Sequence, residues 1–328
     1  MRGHRPLDTS KYDCIIIGGG IAGLQGAIQL GRYKHRVLVI DKGEGRSSLC
    51  RSYHNILGWP DGVSGNELRS LGKLQAERLG VQFIQDEVTG LVRSEDEFMI
   101  ERSKGNQSFE AKTVLLAMGL SDRFPALPGL EQCLGLTVYV CPDCDGYEVN
   151  GRQTIVMGAG NVGAAMALTL TYWTQAITYI NHEWQNKTVD DEHLEKLASH
   201  GIVHIDAALS EVVRSEFNGD FQGVLLDDGR MIAGERGFIA FGGNHVHSEL
   251  ARQVGIECLE NKHILTDPRT KMTNIPGIWA AGDIGVHAEQ LTIAMGEGSQ
   301  AAIWIHKELV GAHRVTPTYR RDLQLEHH

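Results

Sequence analysis

The fold of this chain is decided by the stretch Tyr12-Asp13-Cys14-Ile15-Ile16-Ile17-Gly18-Gly19-Gly20-Ile21-Ala22-Gly23. Its first half is apolar and β-branched on both faces, which is typical of a buried parallel strand. The second half is a G-x-G-x-x-G loop, and a helical run over residues 24–32 follows it. The glycines allow a tight turn and the close approach of a pyrophosphate, whose charge faces the helix N-terminus. The stretch therefore predicts a dinucleotide-binding unit.

The next predicted strand supports this interpretation. It covers residues 36–40 and ends at Asp41, 18 residues after Gly23. A carboxylate about 20 residues beyond the glycine loop accepts a hydrogen bond from a ribose 2′-hydroxyl in such units.

The same arrangement occurs a second time, 140 residues later. A predicted strand at residues 154–157 leads into a loop with Gly158, Gly160 and Gly163, and a helix of small residues follows. The chain therefore carries two strand–loop–helix units of the dinucleotide-binding type.

Between the two units lies Cys141-Pro142-Asp143-Cys144-Asp145. Two cysteines at this spacing can close and reopen a small disulfide ring, and a helix N-terminus would lower a thiol pKa there. Half a zinc site has the same spacing, but the sequence offers no second C-x-x-C and no histidine cluster at ligand spacing. Interleaved proline and acids disfavour two cysteines that merely fill a core. We interpret the motif as redox-active, with no metal site.

Composition narrows the class of protein. The chain has 328 residues, of which 42% are hydrophobic and 22% charged, and a net charge of −10. The negative charge and scattered basic residues exclude a nucleic-acid partner, and no apolar run reaches the length of a membrane span. The four cysteines outside the motif stand far apart, as expected for a reduced, cytoplasmic protein.

These patterns predict an α/β fold with two Rossmann-like (three-layer ββα) nucleotide-binding domains, the second inserted in the first. Prolines near residue 125 mark the crossing into the second domain. We expect residues 1–119 and 244–324 to form one discontinuous nucleotide-binding domain and 120–243 to form the other, with the C-x-x-C. Residues 325–328 are expected to be the remnant of a tag.

With these motifs in this order, the chain resembles the low-molecular-weight thioredoxin reductases and related two-domain flavin disulfide reductases, over residues 12–311. The shared residues also include Asn55-x-x-Gly58-x-Pro60, the strand end at 117–119, Cys141-x-x-Cys144-Asp145-Gly146 and residues 277–283. The resemblance implies a homodimer in which each chain binds one FAD. It implies that residues 1–119 and 244–324 form the FAD-binding domain and that 120–243 form an NAD(P)H-binding-like domain.

The resemblance also implies roles for single residues. Cys144 would lie nearest the flavin, Cys141 would attack a disulfide of thioredoxin or a thioredoxin-like partner, and Asp145 would transfer the proton. The positions that match FAD ligands are Gly18, Gly20, Ile21, Ala22, Gly23, Asp41, Asn55, Ala117, Gly119, Gly282, Asp283, Gln290 and Leu291. Gly158, Gly160 and Gly163 match an NAD(P)H loop.

The electron donor is where the sequence departs from the family. NADPH-using members carry His-Arg-Arg-x-x-x-Arg after the second Rossmann strand, whereas this chain has Asn181-His182-Glu183-Trp184-Gln185-Asn186-Lys187. A 2′-phosphate needs cationic partners, and Glu183 would repel it. Three alternatives stay open: NADH bound through Glu183, NADPH bound through other cations, or a protein donor such as ferredoxin.

Two further departures affect the flavin region. Glu289 stands where the family usually has arginine. The segment 312–321 extends past the usual end of the fold, and Tyr319 in it is a candidate for stacking on a flavin. His245 and His247 are interpreted as polar residues of the domain junction and not as metal ligands.

Three functions compete at this level. The first is an FAD disulfide oxidoreductase that reduces a thioredoxin-like protein. The second is a small-molecule dithiol oxidase or disulfide reductase, supported by Tyr147-Glu148 after the C-x-x-C and by the missing arginines. The third is a non-catalytic flavin redox sensor.

Overall fold

The computed structural model describes residues 11–94, 97–104, 108–286 and 289–312. Backbone contacts divide these residues into two compact units. The first unit contains the chain up to Ser48, Asn66–Ser121 and the chain from Val246 onward, and the second contains Leu49–Gly65 and Asp122–His245. The second unit is thus inserted in the first, as the sequence predicts.

One segment lies in a different unit from the one expected. Residues Leu49–Gly65 belong to the second unit, whereas the sequence placed them in the FAD-binding domain. The reason is local backbone packing: the Arg51 N–H donates to the Gly135 carbonyl (3.0 Å). A Cβ on Gly135 would lie 2.0 Å from the Leu49 oxygen, so only glycine permits this approach.

The chain begins with strands and helices that belong to the first unit, apart from Leu49 and Gly65 at the ends of two helices. They are β1 (Lys11–Ile17), α1 (Ile21–Arg32), β2 (Val37–Asp41), α2 (Arg46–Leu49), α3 (Gly65–Arg78), β3 (Gln82–Gln85), β4 (Val88–Arg93), β5 (Phe98–Arg102), β6 (Phe109–Leu116) and β7 (Leu120–Ser121).

The elements of the second unit follow. They are α4 (Leu130–Cys133), β8 (Val138–Tyr139), α5 (Pro142–Asp145), a 3₁₀ helix (Gly146–Val149), β9 (Thr154–Gly158), α6 (Gly160–Leu170), β10 (Ile177–Asn181), α7 (Asp191–Ser199), β11 (Val203–Asp206), β12 (Leu209–Arg214), β13 (Phe221–Leu226), β14 (Met231–Ala233) and β15 (Arg236–Ala240). The chain then continues with β16 (His245–Val246), α8 (Glu249–Gln253), β17 (Ile278–Ala280) and α9 (Leu291–Leu309).

Each unit is built on its own sheet, which is mixed in the first unit, where β5 is antiparallel to both β4 and β6, and parallel in the second. The first has the strand order β3-β2-β1-β6-β5-β4 with β17 on β6, and the second has the order β11-β10-β9-β15-β8. In the first sheet β1, β2, β6 and β17 are parallel, so their carboxyl ends meet at one edge. This edge is where α/β sheets bind ligands.

Helices α1 and α9 pack on one face of the first sheet. They can approach closely because Gly298 carries no side chain: a Cβ there would lie 2.2 Å from the Ala22 oxygen. Between them and the sheet lie Cys14, Ile16 and Leu115, all fully buried. This packing fixes the start of α1 and the start of α9 at the same sheet edge. Along the described residues, no helix combines the length and the apolar character needed to cross a membrane.

Candidate active site

The first glycine loop leaves one position open. Gly18 has a φ of +103°, and a Cβ on it would lie 2.4 Å from the Ala117 oxygen; a Cβ on Gly23 would lie 2.0 Å from the Gly18 oxygen. Gly20 differs, because no described atom lies within 4 Å of where its Cβ would stand. It is also the N-cap of α1, where no side chain caps the helix. The loop therefore offers open space at the positive end of a buried helix, which suits a pyrophosphate.

Asp41 lies beside this loop with both carboxylate oxygens engaged. The Gly19 N–H donates to Oδ1 (2.9 Å), and Arg69 Nη2 donates to Oδ2 (2.8 Å). Arg69 comes from α3 and also donates to the Gly43 carbonyl (3.2 Å). The carboxylate is where the sequence predicts it, while Arg69 was not found by sequence reasoning.

The end of β17 is held by a buried ion pair. The Gly282 N–H donates to Glu297 Oε2 (3.0 Å), and Lys271 Nζ donates to Glu297 Oε1 (2.7 Å). Both side chains of the pair are largely buried. Glu297 and Lys271 thus fix the backbone of a predicted flavin-binding residue, and neither stood out in the sequence.

Asp283 and Glu289 share one guanidinium. Arg46 Nη1 lies 3.3 Å from Asp283 Oδ2 and 2.5 Å from Glu289 Oε2. Position 289 carries an acid where the family usually has arginine, but Arg46 of α2 supplies a cation to this region. Gln290 is the N-cap of α9 and Leu291 is its first residue, so the N-terminus of α9 lies next to this group.

Most other predicted flavin residues lie in the first unit. Ala117 follows β6, and its N–H donates to the Ile17 carbonyl (2.8 Å). Gly119 has a φ of +62°, and Ile21 and Ala22 form the first turn of α1. Asn55 is exposed and belongs to the segment Leu49–Gly65 of the second unit. Tyr319 lies outside the described residues.

The C-x-x-C motif begins a short helix of the second unit. Cys141 is the N-cap of α5, Pro142 is its first residue, and the Sγ atoms of Cys141 and Cys144 lie 2.7 Å apart. The N–H groups of Cys144 and Asp145 donate to the Cys141 carbonyl (3.2 and 3.0 Å). Both cysteines and Asp145 are half-buried, so the sulfurs are adjacent and partly accessible.

The other four cysteines are poor nucleophiles. Burial raises the pKa of Cys14 to about 12. Burial, with the negative charge of Asp145, raises the pKa of Cys50 to about 12. Burial also raises the pKa of Cys133 and of Cys258. Because the thiolate is the reactive form, a raised pKa makes these four cysteines poorly suited to disulfide exchange.

The second glycine loop is covered by the chain itself. A Cβ on Gly160 would lie 3.2 Å from both Lys187 Cβ and the Thr188 oxygen. The Gly160 N–H donates to Oδ1 of the fully buried Asn181 (3.0 Å). Asn161 and Asp190 exchange two hydrogen bonds (2.6 and 3.0 Å) and tie the covering segment to α6. Asn181 thus stands at the position that corresponds to Asp41, and its side-chain amide hydrogen-bonds to the loop.

Glu183 is held by two cations. It forms ion pairs with Arg123 and with Lys187, the latter at 3.2 Å. Burial opposes ionisation of Glu183, but hydrogen bonds from the two cations outweigh it and lower its pKa. Both cations also donate to the Phe241 carbonyl (3.2 and 3.4 Å). The basic side chains near this loop are therefore committed to an acid and a backbone oxygen.

The first unit fits FAD better than the second unit fits a nicotinamide nucleotide. The open position at Gly20, the helix N-terminus and Asp41 are the features that an adenosine diphosphate needs. At Gly160 the corresponding space is taken by residues 187–188. The geometry thus supports a flavin site in the first unit. The second unit carries two cysteine sulfurs that lie next to each other.

Comparisons with known proteins identify the family of the chain. A family model described as pyridine nucleotide-disulphide oxidoreductase matches residues 12–298. A thioredoxin reductase of Treponema pallidum (strain Nichols) is 30% identical over 303 residues, which are 89% of this chain and 95% of that protein. The crystal structure of thioredoxin reductase from Streptococcus pyogenes is 25% identical with a TM-score of 0.82, covering 93% of this chain and 100% of that one.

These matches span both units and include the loop and motif residues described above. The chain therefore belongs to the pyridine nucleotide-disulphide oxidoreductase family, as an FAD-dependent disulfide oxidoreductase of the thioredoxin reductase type.

Proposed function

We propose that the protein exchanges electrons between FAD in the first unit and the Cys141/Cys144 pair, and between that pair and the disulfide of thioredoxin or a thioredoxin-like protein. The observation that carries the proposal is the pair of adjacent sulfurs at the start of α5. The raised pKa values of Cys14 and Cys50 support it, since they leave the motif as the reactive pair. A homodimer and a cytoplasmic location are parts of the same proposal.

One turnover would move two electrons from the reduced flavin to the partner's disulfide. If FAD is held by the Gly18–Gly23 loop and Asp41 and is reduced by the external donor, it would supply the two electrons that, with two protons, convert the Cys141–Cys144 disulfide into a dithiol. The Cys141 thiolate attacks the partner's disulfide, forms a mixed disulfide and releases one partner thiolate. Cys144 then attacks the Cys141 sulfur, releases the second partner thiolate and restores the original disulfide. Asp145 transfers the proton at the cysteine pair.

The donor that fits this chain best is not NADPH bound at the second glycine loop. The covered Gly160 and the ion-paired Glu183 support this view, because a bound dinucleotide would have to displace residues 187–188. A 2′-phosphate would also meet a carboxylate. A protein donor such as ferredoxin requires neither group to move.

The covered second glycine loop is also compatible with a second function, in which no nicotinamide takes part. A small-molecule dithiol oxidase takes two electrons from a dithiol through the cysteine pair to FAD, and O₂ accepts them as H₂O₂. This direction needs no nicotinamide, so a covered second loop is compatible with it. The two functions use the same residues and differ in which substrate meets Cys141.

Anaerobic titration of the flavin absorbance band tests the proposal. NADPH, NADH, reduced ferredoxin and a small dithiol are added in turn to the wild type, Cys144→Ser and Cys50→Ser. We expect reduced ferredoxin or the dithiol to bleach the flavin and NADPH to leave it oxidised. Reoxidation by a thioredoxin disulfide should be lost in Cys144→Ser and kept in Cys50→Ser.

The outcomes separate the candidates. Rapid bleaching by NADPH would overturn the donor assignment but leave the cysteine chemistry standing. Reduction by a dithiol with reoxidation only by O₂ would favour the oxidase. Equal activity of Cys144→Ser and wild type with every disulfide would overturn the role of the pair.

A further inference from the structure

Arg69 carries a buried donor that the described part of the chain leaves unused. Its Nη1 atom is inaccessible to solvent and has no hydrogen-bond partner among the described residues. The side chain as a whole is 13% exposed. Leaving a buried charged donor unpaired is costly, so such a group calls for an explanation, of which a bound ligand is one.

The rest of the guanidinium is fixed in place. Nη2 donates to Asp41 Oδ2 and to the Gly43 carbonyl, and the Gly43–Gly45 turn passes beside the group. Two acceptors on one nitrogen orient the planar group, so the direction of Nη1 is set as well. Arg69 is thus a positioned donor beside the carboxylate that follows β2.

We propose that Arg69 binds the adenosine half of FAD, with Nη1 donating to a ribose hydroxyl oxygen while Asp41 accepts from a ribose hydroxyl. This inference rests on the proposed flavin function. A hydroxyl group both donates and accepts, so an arginine and a carboxylate side by side complement a ribose diol. The same pair disfavours a 2′-phosphate, because Asp41 would repel it and already holds Arg69 Nη2.

Position in the fold supports the assignment. Asp41 also accepts the Gly19 N–H, and Gly20 next to it faces open space at the N-terminus of α1. The diphosphate space and the unused donor therefore lie on either side of one carboxylate. The second unit offers no such arrangement, because Asn181 there is buried and bonded to Gly160 and Asp206.

The test separates the two halves of the cofactor. Apoprotein of the wild type, Arg69→Met, Arg69→Lys and Arg78→Met is titrated with FAD, FMN and ADP, and binding is followed by flavin fluorescence and calorimetry. Arg78 is the matched control because it is an exposed arginine on the same helix. Circular dichroism checks that each variant folds.

We expect Arg69→Met to weaken FAD and ADP binding by about 10- to 100-fold, which corresponds to one lost hydrogen bond to a charged group. FMN affinity should stay within about twofold, since FMN lacks the adenosine. Arg69→Lys should be intermediate, because a lysine keeps the charge without the planar fork. Arg78→Met should bind all three ligands like the wild type.

Each result decides the question. FAD and ADP affinities that do not change in Arg69→Met would overturn the inference while the flavin function stands. A parallel loss of FMN and FAD affinity would show a structural role and overturn it too. If Arg69→Met does not fold, Arg69→Lys decides by the same comparison. A wild type that binds neither FAD nor ADP would instead overturn the proposed function itself.

Discussion

Gly20 and Gly160 occupy the third position of their G-x-G-x-x-G loops, but only Gly160 is covered by another part of the chain. No described atom lies within 4 Å of a Cβ on Gly20, whereas Lys187 Cβ and the Thr188 oxygen lie 3.2 Å from a Cβ on Gly160. The same motif therefore serves two purposes. In the first unit it leaves space for a ligand, and in the second it lets residues 187–188 pack against a helix start.

The first prediction concerns Gly20→Ala. Its φ of −74° and ψ of −171° are extended backbone that alanine adopts without strain, so the apoprotein should keep its stability to within about 1 kcal/mol. The new methyl group enters the space meant for the diphosphate, and FAD affinity should fall at least about tenfold. Urea unfolding of the apoprotein and FAD titration measure the two effects.

Gly160→Ala is the matched comparison. Gly160 has a φ of +53°, so alanine there costs about 1–2 kcal/mol and presses on Lys187. FAD affinity should not change. If Gly160→Ala weakened FAD binding more than Gly20→Ala, the assignment of the two loops would be wrong.

The second prediction concerns the buried pair of Glu297 and Lys271. Glu297→Ala leaves a buried ammonium and the Gly282 N–H without their acceptor, and should lower the free energy of unfolding by about 3 kcal/mol. Glu192→Gln breaks the exposed pair with Lys196 and should change the free energy of unfolding far less, because exposed ion pairs are screened by water. Chemical denaturation of both variants provides the comparison.

A double variant sharpens this test. Lys271→Met with Glu297→Gln removes both charges while a side-chain oxygen can still accept from Gly282. It should be more stable than Glu297→Ala. A double variant that is less stable than the single one would refute the explanation by an uncompensated charge.

The third prediction concerns cysteine labelling. At pH 7.5 a thiol of pKa about 12 is ionised to roughly 3 parts in 100,000, so Cys14 and Cys50 should resist iodoacetamide. After reduction, Cys141 or Cys144 should be alkylated first, as shown by peptide mass spectrometry. Labelling of Cys50 before either motif cysteine would contradict the assignment of the reactive pair.

The fourth prediction concerns pH. Burial lowers the pKa of His35, whose Nε2 lies 2.8 Å from His306 Nδ1. A folded-state pKa below the unfolded value means that the unfolded chain binds more protons between the two values. Stability from this site is therefore complete above about pH 6.5 and is lost as the pH falls below it.

Melting temperatures between about pH 7 and pH 5 measure this effect. The decrease should be smaller in His35→Gln than in the wild type. His200 is an exposed histidine, and His200→Gln serves as the control for the substitution itself. Equal slopes in His35→Gln and wild type would show that His35 does not titrate differently in the folded state.

The sequence predicted those parts of the site that are written in contiguous residues. The glycine loops, Asp41 at a strand end and the C-x-x-C are local patterns, and each lies beside the strand or helix that the sequence predicts, while its role in binding or catalysis stays a prediction. Their partners could not be predicted, because packing brings them from elsewhere: Arg69 is 28 residues from Asp41, and Arg46 is 237 residues from Asp283. The placement of Leu49–Gly65 also depends on such packing, through Gly135.

The packing of Gly163 has a consequence for how nucleotide motifs are interpreted. A Cβ on Gly163 would lie 2.4 Å from the Tyr179 ring, and the Tyr179 hydroxyl donates to the Gly160 carbonyl (2.7 Å). An aromatic neighbour thus forbids every larger residue at this position, whether or not a coenzyme ever arrives. Packing alone can therefore preserve the glycines of such a loop. A G-x-G-x-x-G sequence is then no proof that a nucleotide still binds there.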